Sequence, residues 1–240
     1  MPLSAILEKL GKVTRRRDLW CALLDYLHAK GIQSVSYHTT GPDNKTADIV
    51  ADGFPDKWIC SYIKKRLVQI DPMPTLAAQL ARPFFWHEVY DLTDNAESTH
   101  RYMELLNAAN LGDGLALYVF GPGLQNAYVG LGFGDNEITL TPEDVLEIQC
   151  VVQAAHLRFL DLSSDGRPAN PLTPREHEVL DWVARGKSNG VIAEILGTSP
   201  HTVDTHIRAI YRKLNVTDRT SAALKAVSSG LLQYPSERLP

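Results

Sequence analysis

Cysteine is scarce in this chain: Cys21, Cys60 and Cys150 are three in 240 residues, an odd number set far apart in apolar surroundings. That spacing speaks against a disulfide frame or a metal site and leads us to expect reduced core thiols in a cytoplasmic protein. Long hydrophobic runs are missing too. No stretch approaches the roughly 18 to 20 apolar residues of a membrane span, and Glu8, Lys9 and Lys12 interrupt the start as no signal peptide would. No membrane association is expected. The chain also has no G-x-S-x-G elbow, no clustered His and Asp motif, and no acidic pair at the end of its first strand, which argues against a hydrolase or a phosphorylated receiver. We therefore expect no enzyme and no cofactor.

Net charge is small, and its distribution is more telling than its total of -4. From Leu172 on, Lys and Arg outnumber Asp and Glu by nine to seven; before it they are outnumbered by twenty-one to fifteen. Only the C-terminal part has the sign that suits phosphate. Apolar residues make up 44%, enough to bury a core, and the length suits one domain of ordinary size with a small one.

The C-terminal stretch has the clearest punctuation. Thr173 and Glu176, with Pro174 between them, form a capping-box signal, and Gly186 is placed to end the helix that follows. Ser188 or Asn189 can cap a second short helix closed by Gly197, and Ser199-Pro200 opens a third. In that third helix Val203, Ile207, Ile210 and Leu214 form one inward stripe. The opposite side carries His201, Asp204, Thr205, Arg208 and Arg212, with Lys213 near its edge. Guanidinium groups can read guanine edges and hydroxyl and ammonium groups can hold phosphates, so this helix suits a DNA major groove. Taken alone, the pattern also suits a solvated basic surface. A fourth helix, roughly 217–231, offers Ala222, Leu224, Val227 and Leu231 for packing or self-association.

The motifs L-T-P-R-E, V-L, A-x-G-K-S-N, I-A, T-V-x-x-H, I-x-x-K-L-x-V and R-x-x-A together resemble the LuxR-type helix-turn-helix domain. The resemblance implies a four-helix DNA-binding domain that works as a homodimer, with double-stranded DNA and RNA polymerase as partners. It places base reading on Asp204 and Arg208, phosphate contacts on Lys187, Thr202 and Lys213, and the same polar face on Thr205 and Arg212. Asp204 is anomalous, because a carboxylate accepts only from cytosine N4 and otherwise repels phosphate; Arg208 is the stronger candidate.

Before this domain, Leu3, Ile6, Leu7 and Leu10, then Leu19, Leu23, Leu24 and Leu27, mark two amphipathic helices. The run Arg15, Arg16, Arg17 between them reads as solvated charge or a nucleic-acid patch. Alternation over 32–40 and a short run at 47–51 predict two strands. Helices are expected near 56–67, after Pro74 and over 95–109, followed by a hairpin of 115–121 and 127–134 and a last helix from Thr141-Pro142 to about Leu160. This pattern predicts an α/β class: an α/β/α sandwich with an antiparallel sheet over residues 1–162, a linker at 163–171, and an all-α four-helix helix-turn-helix domain over 172–240.

In the first domain Trp58 and Tyr62, four apart, share a helix face, and Asp71-Pro72 and Trp86 follow. An indole donor, a phenol and an acceptor carboxylate can grip a ligand that has a carbonyl and an amide N–H. They also suit an aromatic core with an Asp helix cap. The stretch GFPDKWICSYIKKRLVQIDP, FFW fifteen residues after Asp71, and Gly114 before the hairpin are similar to the acyl-homoserine-lactone-binding domain of quorum-sensing LuxR-type regulators. By that resemblance Trp58 donates to the lactone carbonyl, Asp71 accepts from the amide N–H, and Tyr62 and Trp86 pack over the ring, with Tyr102 in the same set. The chain departs from the pattern at Phe54, where the family has a donor Tyr, and at Gly130, where a hydroxyl residue is usual. Ser36 and His38, on one strand face with Thr40, are candidate replacement donors. The departures also motivate an alternative, an orphan LuxR-type regulator sensing a different small molecule. Gly130, Gly132 and Gly134 either leave room for an acyl chain or mark a bulge.

Overall fold

The computed structural model describes residues 1–40, 46–64, 66–93, 97–136, 138–163 and 172–232. These form two compact units, of which the first comprises Met1–Gly121 and Asn126–Ser163. In it, α1 (Leu3–Lys12) and α2 (Arg16–Ala29) lead into β1 (Ser34–Thr40) and β2 (Thr46–Asp52). After them come α3 (Asp56–Lys64), α4 (Met73–Leu80), the two-residue β3 (Phe84–Phe85), α5 (Val89–Leu92) and α6 (Glu97–Ala108). The hairpin β4 (Gly114–Val119) and β5 (Ala127–Gly132) and the long α7 (Pro142–Ser163) complete the unit. The strands form one antiparallel sheet in the order β2-β1-β5-β4-β3.

The pleat of this sheet determines what lies on each side, because successive residues of a strand point to opposite faces. Val35 and Tyr37 of β1 and Val129 and Leu131 of β5 join a core with Ile6 and Leu10 of α1, Leu23 and Leu27 of α2, and Ile148 and Val152 of α7. Tyr128 and Ala116 face the other way, into a core with Trp58 and Tyr62 of α3, Met73 of α4 and Tyr102 of α6. Helices thus cover both faces, an α/β/α sandwich.

Several expectations need correction in detail. The third helix ends at Lys64, and Arg66 takes a left-handed φ of 50° before a 3-10 turn at Leu67–Gln69. The second hairpin strand stops at Gly132, because Gly134 turns away at φ 59°. The three cysteines are exposed and free, on outward faces of α2, α3 and α7, rather than in the core. Of the expected linker only Ser163 is described, as the last residue of α7; 164–171 lie outside the described residues, as do the expected helix start at Asn95 and the chain beyond Leu232.

The second unit contains α8 (Pro174–Ala184), α9 (Asn189–Leu196), α10 (Pro200–Leu214) and α11 (Arg219–Ser228). The Thr173 hydroxyl accepts from the Glu176 amide at 3.3 Å while the Glu176 carboxylate accepts from the Thr173 amide at 2.7 Å, a complete capping box. Ser188, Ser199 and Asp218 cap the other three helices, each accepting from an amide in the first turn. Gly197, at φ 62°, turns the chain between α9 and α10. Val203, Ile207, Ile210 and Leu214 are buried against Val179, Leu180 and Val183 of α8 and Ile192 of α9. On α11, Ala222 and Ala226 make the packing contact, whereas Leu224 stands 66% exposed.

Candidate ligand cavity and DNA-reading helix

A cavity of about 270 Å³ lies between the sheet and α3, α4 and α6. Its sheet wall is Ser36 and His38 of β1, Ile49 and Ala51 of β2 and Tyr128 of β5. Phe54, Trp58, Tyr62, Asp71, Trp86 and Tyr102 close it from the helical side. Eight of the ten ligand-site residues singled out from the sequence, Ser36, His38, Phe54, Trp58, Tyr62, Asp71, Trp86 and Tyr102, therefore converge on one space. The side chain of Thr40 lies outside what is described.

Asp71 is the polar centre of this wall. The turn after Arg66 carries it back beneath α3, its amide held by the Leu67 carbonyl at 2.9 Å. There its Oδ2 accepts from the Tyr62 hydroxyl at 2.7 Å and its Oδ1 from the Met73 amide at 2.9 Å. The carboxylate thus both holds the first amide of α4 and faces the cavity. Burial pushes its pKa up to about 6, although the Tyr62 hydroxyl, the Met73 amide and the Tyr102 hydroxyl all favour the ionised form. Burial also lowers His38, to about 4, so its imidazole is neutral at physiological pH. The ring sits edge-on to Tyr128 at 5.1 Å, and its buried Nδ1 has no hydrogen-bond partner among the described residues.

Trp86 is aimed into the cavity by the turn that follows β3. The Phe85 amide donates to Glu88 Oε2 at 2.6 Å and the His87 amide to Asp113 Oδ1 at 3.1 Å, fixing that turn from both ends. The indole is 3% exposed, and its Nε1 neighbours the Tyr128 hydroxyl without making a hydrogen bond of regular geometry among the described residues. Gly114 and Gly130 do not line the cavity. A Cβ on Gly114 would meet the Trp86 ring and the Leu131 carbonyl at 2.5 Å, and one on Gly132 the Ser34 hydroxyl at 2.3 Å and the indole at 3.1 Å. At Gly130 it would meet the Ser36 and Tyr128 hydroxyls at 2.8 Å. The strand glycines therefore neither mark a bulge, since β5 pairs in unbroken register with both neighbours, nor leave open room for a chain. They let Trp86, Ser36 and Tyr128 approach the backbone.

On α10, His201, Thr202, Thr205, Arg208 and Arg212 are exposed opposite the buried stripe. Asp204 Oδ2 and the Arg208 guanidinium are paired at 2.8 Å, which gives the anomalous carboxylate a partner on its own helix. Thr202 shares the cap with Ser199 at 2.9 Å, and the Thr205 hydroxyl donates to the His201 carbonyl at 3.0 Å. Lys187 is exposed just before α9. Lys213 differs from these: its ammonium reaches Glu176 at 2.6 Å and ties α10 to the capping box of α8. That role was not legible in the sequence, where the two residues stand 37 apart.

Among the described residues no group of three His, Cys, Asp or Glu could hold a metal ion, and no helix is long and apolar enough to cross a membrane. Residues 15–159 match the family model "Autoinducer binding domain" and residues 170–226 match "Bacterial regulatory proteins, luxR family". The chain is 31% identical over 188 residues to the quorum sensing-dependent transcriptional regulator RpaR of Rhodopseudomonas palustris, covering 77% of this chain and 75% of that one. It is also 31% identical over 191 residues to the transcriptional activator BjaR1 of Bradyrhizobium diazoefficiens, covering 78% and 77%. In structure it resembles Escherichia coli SdiA with a TM-score of 0.78 at 21% identity, over 97% of this chain and 98% of that one. With an autoinducer-binding domain before a DNA-binding one, the chain belongs to the LuxR family of bacterial regulatory proteins.

Proposed function

We propose that this regulator binds an N-acyl-homoserine lactone in the cavity beside Asp71 and, as a homodimer, a palindromic promoter site. The observation that carries the reading is the set of polar groups buried around one space: an acceptor carboxylate with two indoles and an imidazole. Buried polar groups are costly where they are left incompletely paired, as His38 Nδ1 is, and such a set rejects ligands that lack the matching atoms. Asp71 accepts from the ligand amide N–H, Trp58 donates to the lactone carbonyl, and Tyr62, Tyr102 and Trp86 enclose the ring. His38, whose Nδ1 is unpartnered and buried, supports the amide carbonyl in place of the donors missing at Phe54 and Gly130, with Ser36 beside it.

The test is the melting temperature of the full chain against lactones with short, long, 3-oxo and aryl acyl groups. A ligand at 100 times its dissociation constant adds about 2.7 kcal/mol, a rise on the order of 5 to 10 °C. No rise with any lactone, in folded and ligand-free protein, would instead favour a sensor of another small molecule, the reading that Phe54 and Gly130 motivate.

On DNA, Arg208 reads a base while Lys187 and Thr202 hold phosphates, and the exposed Leu224 of α11 is available for pairing of two copies. Arg208→Ala is expected to weaken operator binding by about 1 to 3 kcal/mol and to relax preference at one base position. Selection of binding sites from random DNA measures both. A uniform loss at every position would instead make Arg208 a phosphate contact.

A further inference from the structure

A second cavity, also of about 270 Å³, lies on the opposite face of the sheet, between it and helices α2 and α7. Among the described residues it shares no lining residue with the first. Its walls are apolar, among them Trp20 and Leu23 of α2, Val129 of β5 and Val152, Ala155 and Phe159 of α7. The polar pair that borders it, the Tyr37 hydroxyl and His156 Nδ1, is closed on itself at 2.7 Å, so this space offers a guest no hydrogen-bonding address like that of Asp71. Arg16 and Arg17 also line it, and both are exposed. The Arg16 guanidinium lies over the Phe159 ring at 5.1 Å, and among the described residues no carboxylate lines the cavity and neither arginine is in an ion pair. Part of the basic run in the sequence thus stands beside an apolar space.

We propose that this cavity is a second ligand site, which takes a free fatty carboxylate with its tail in the cavity and its head on Arg16 and Arg17. The chemistry follows from the two halves. Apolar walls gain from any hydrocarbon tail in proportion to the area removed from water, whereas planar guanidinium forks match a carboxylate. The volume suits one chain of moderate length rather than the two tails of a phospholipid. The site is independent of the lactone reading, since no described residue is common to the two cavities.

Decanoate, kept below its micelle concentration, is the probe. Its binding to the full chain is measured by equilibrium dialysis beside that of the neutral ester methyl decanoate. We expect saturable binding of decanoate, weakened about five- to tenfold by the double substitution Arg16→Glu/Arg17→Glu, in line with two partly exposed ion pairs. The ester should not respond to that change. Ala155→Phe, which fills the cavity, should remove binding of both, with melting temperature confirming a folded variant. The arginine substitutions lie on the surface and keep the test valid if the filled variant does not fold. Absence of saturable binding overturns the proposal. So does decanoate affinity unchanged by the double substitution, or lost instead on narrowing the first cavity with Met73→Phe.

Discussion

The two faces of the sheet are built from the same strands and hold cavities of equal size, yet they differ in what they leave unsatisfied. Ser36, His38 and Tyr128 point one way, and their neighbours Tyr37 and Val129 point the other. On the first face a carboxylate is buried far enough to titrate near 6, an imidazole is held neutral, and an imidazole nitrogen and an indole nitrogen make no hydrogen bond of regular geometry among the described residues. On the second face the one bordering polar pair is already made. The lesson is that volume does not distinguish a selective site from a permissive one. Unpaired polar groups do, because each one penalises every guest that fails to complete it. The first face is built for one pattern of donors and acceptors, the second for a tail and a charge.

The largest effect expected from this contrast is at Asp71. Asp71→Asn keeps an oxygen for the Met73 amide at the start of α4 but removes the charge that accepts from the ligand. Lactone affinity should fall about thirtyfold, the weight of a hydrogen bond to a charged group, while decanoate binding on the other face stays within twofold. Calorimetry of both ligands on the same protein measures this. An equal loss of both would mean that the substitution disturbs the sheet and would break the comparison.

A second effect is in pH. The folded pKa of Asp71 is raised, to about 6 from 3.8, so the unliganded fold takes up a proton between these values and loses stability as pH rises through that window. The ligand N–H favours the ionised form, so binding releases the proton and lactone affinity should rise about tenfold from pH 5 to pH 7. The groups around it do not titrate there: Tyr62, Tyr102 and Tyr128 are pushed upward by burial, and His38 is already neutral. The slope should vanish in Asp71→Asn; a slope that persists would assign it elsewhere.

Much of this arrangement was legible in the sequence where the signal is local. The capping box of Thr173 and Glu176, the stripe from Val203 to Leu214 and the i, i+4 pair Trp58 and Tyr62 each need only a few neighbouring residues to be recognised. The face of β1 that carries Ser36 and His38 follows from alternation alone. What was not legible depends on distant parts of the chain. The two residues of β3 are too few to alternate, and their pairing with β4 is made by tertiary contact. The room beside Gly114 and Gly132 is taken by an indole from a turn 28 residues before Gly114. The tie between Lys213 and Glu176 joins residues 37 apart, which no local signal links. Arg16 and Arg17 read as solvated charge because the cavity beside them is assembled from α2, the sheet and α7.

The smallest expected effect tests the second face at its one polar pair. Tyr37→Phe deletes the hydroxyl that meets His156 Nδ1 at 2.7 Å and leaves the ring against Phe159 at 5.4 Å. The loss is one buried hydrogen bond, about 1 kcal/mol, or a drop on the order of 2 to 4 °C in melting temperature. Because the pair is closed on itself and faces away from Asp71, lactone affinity should not change. A loss of more than about threefold in lactone binding would show that the two faces are coupled through the sheet, and the unpaired groups of the first cavity would then no longer account for selectivity by themselves.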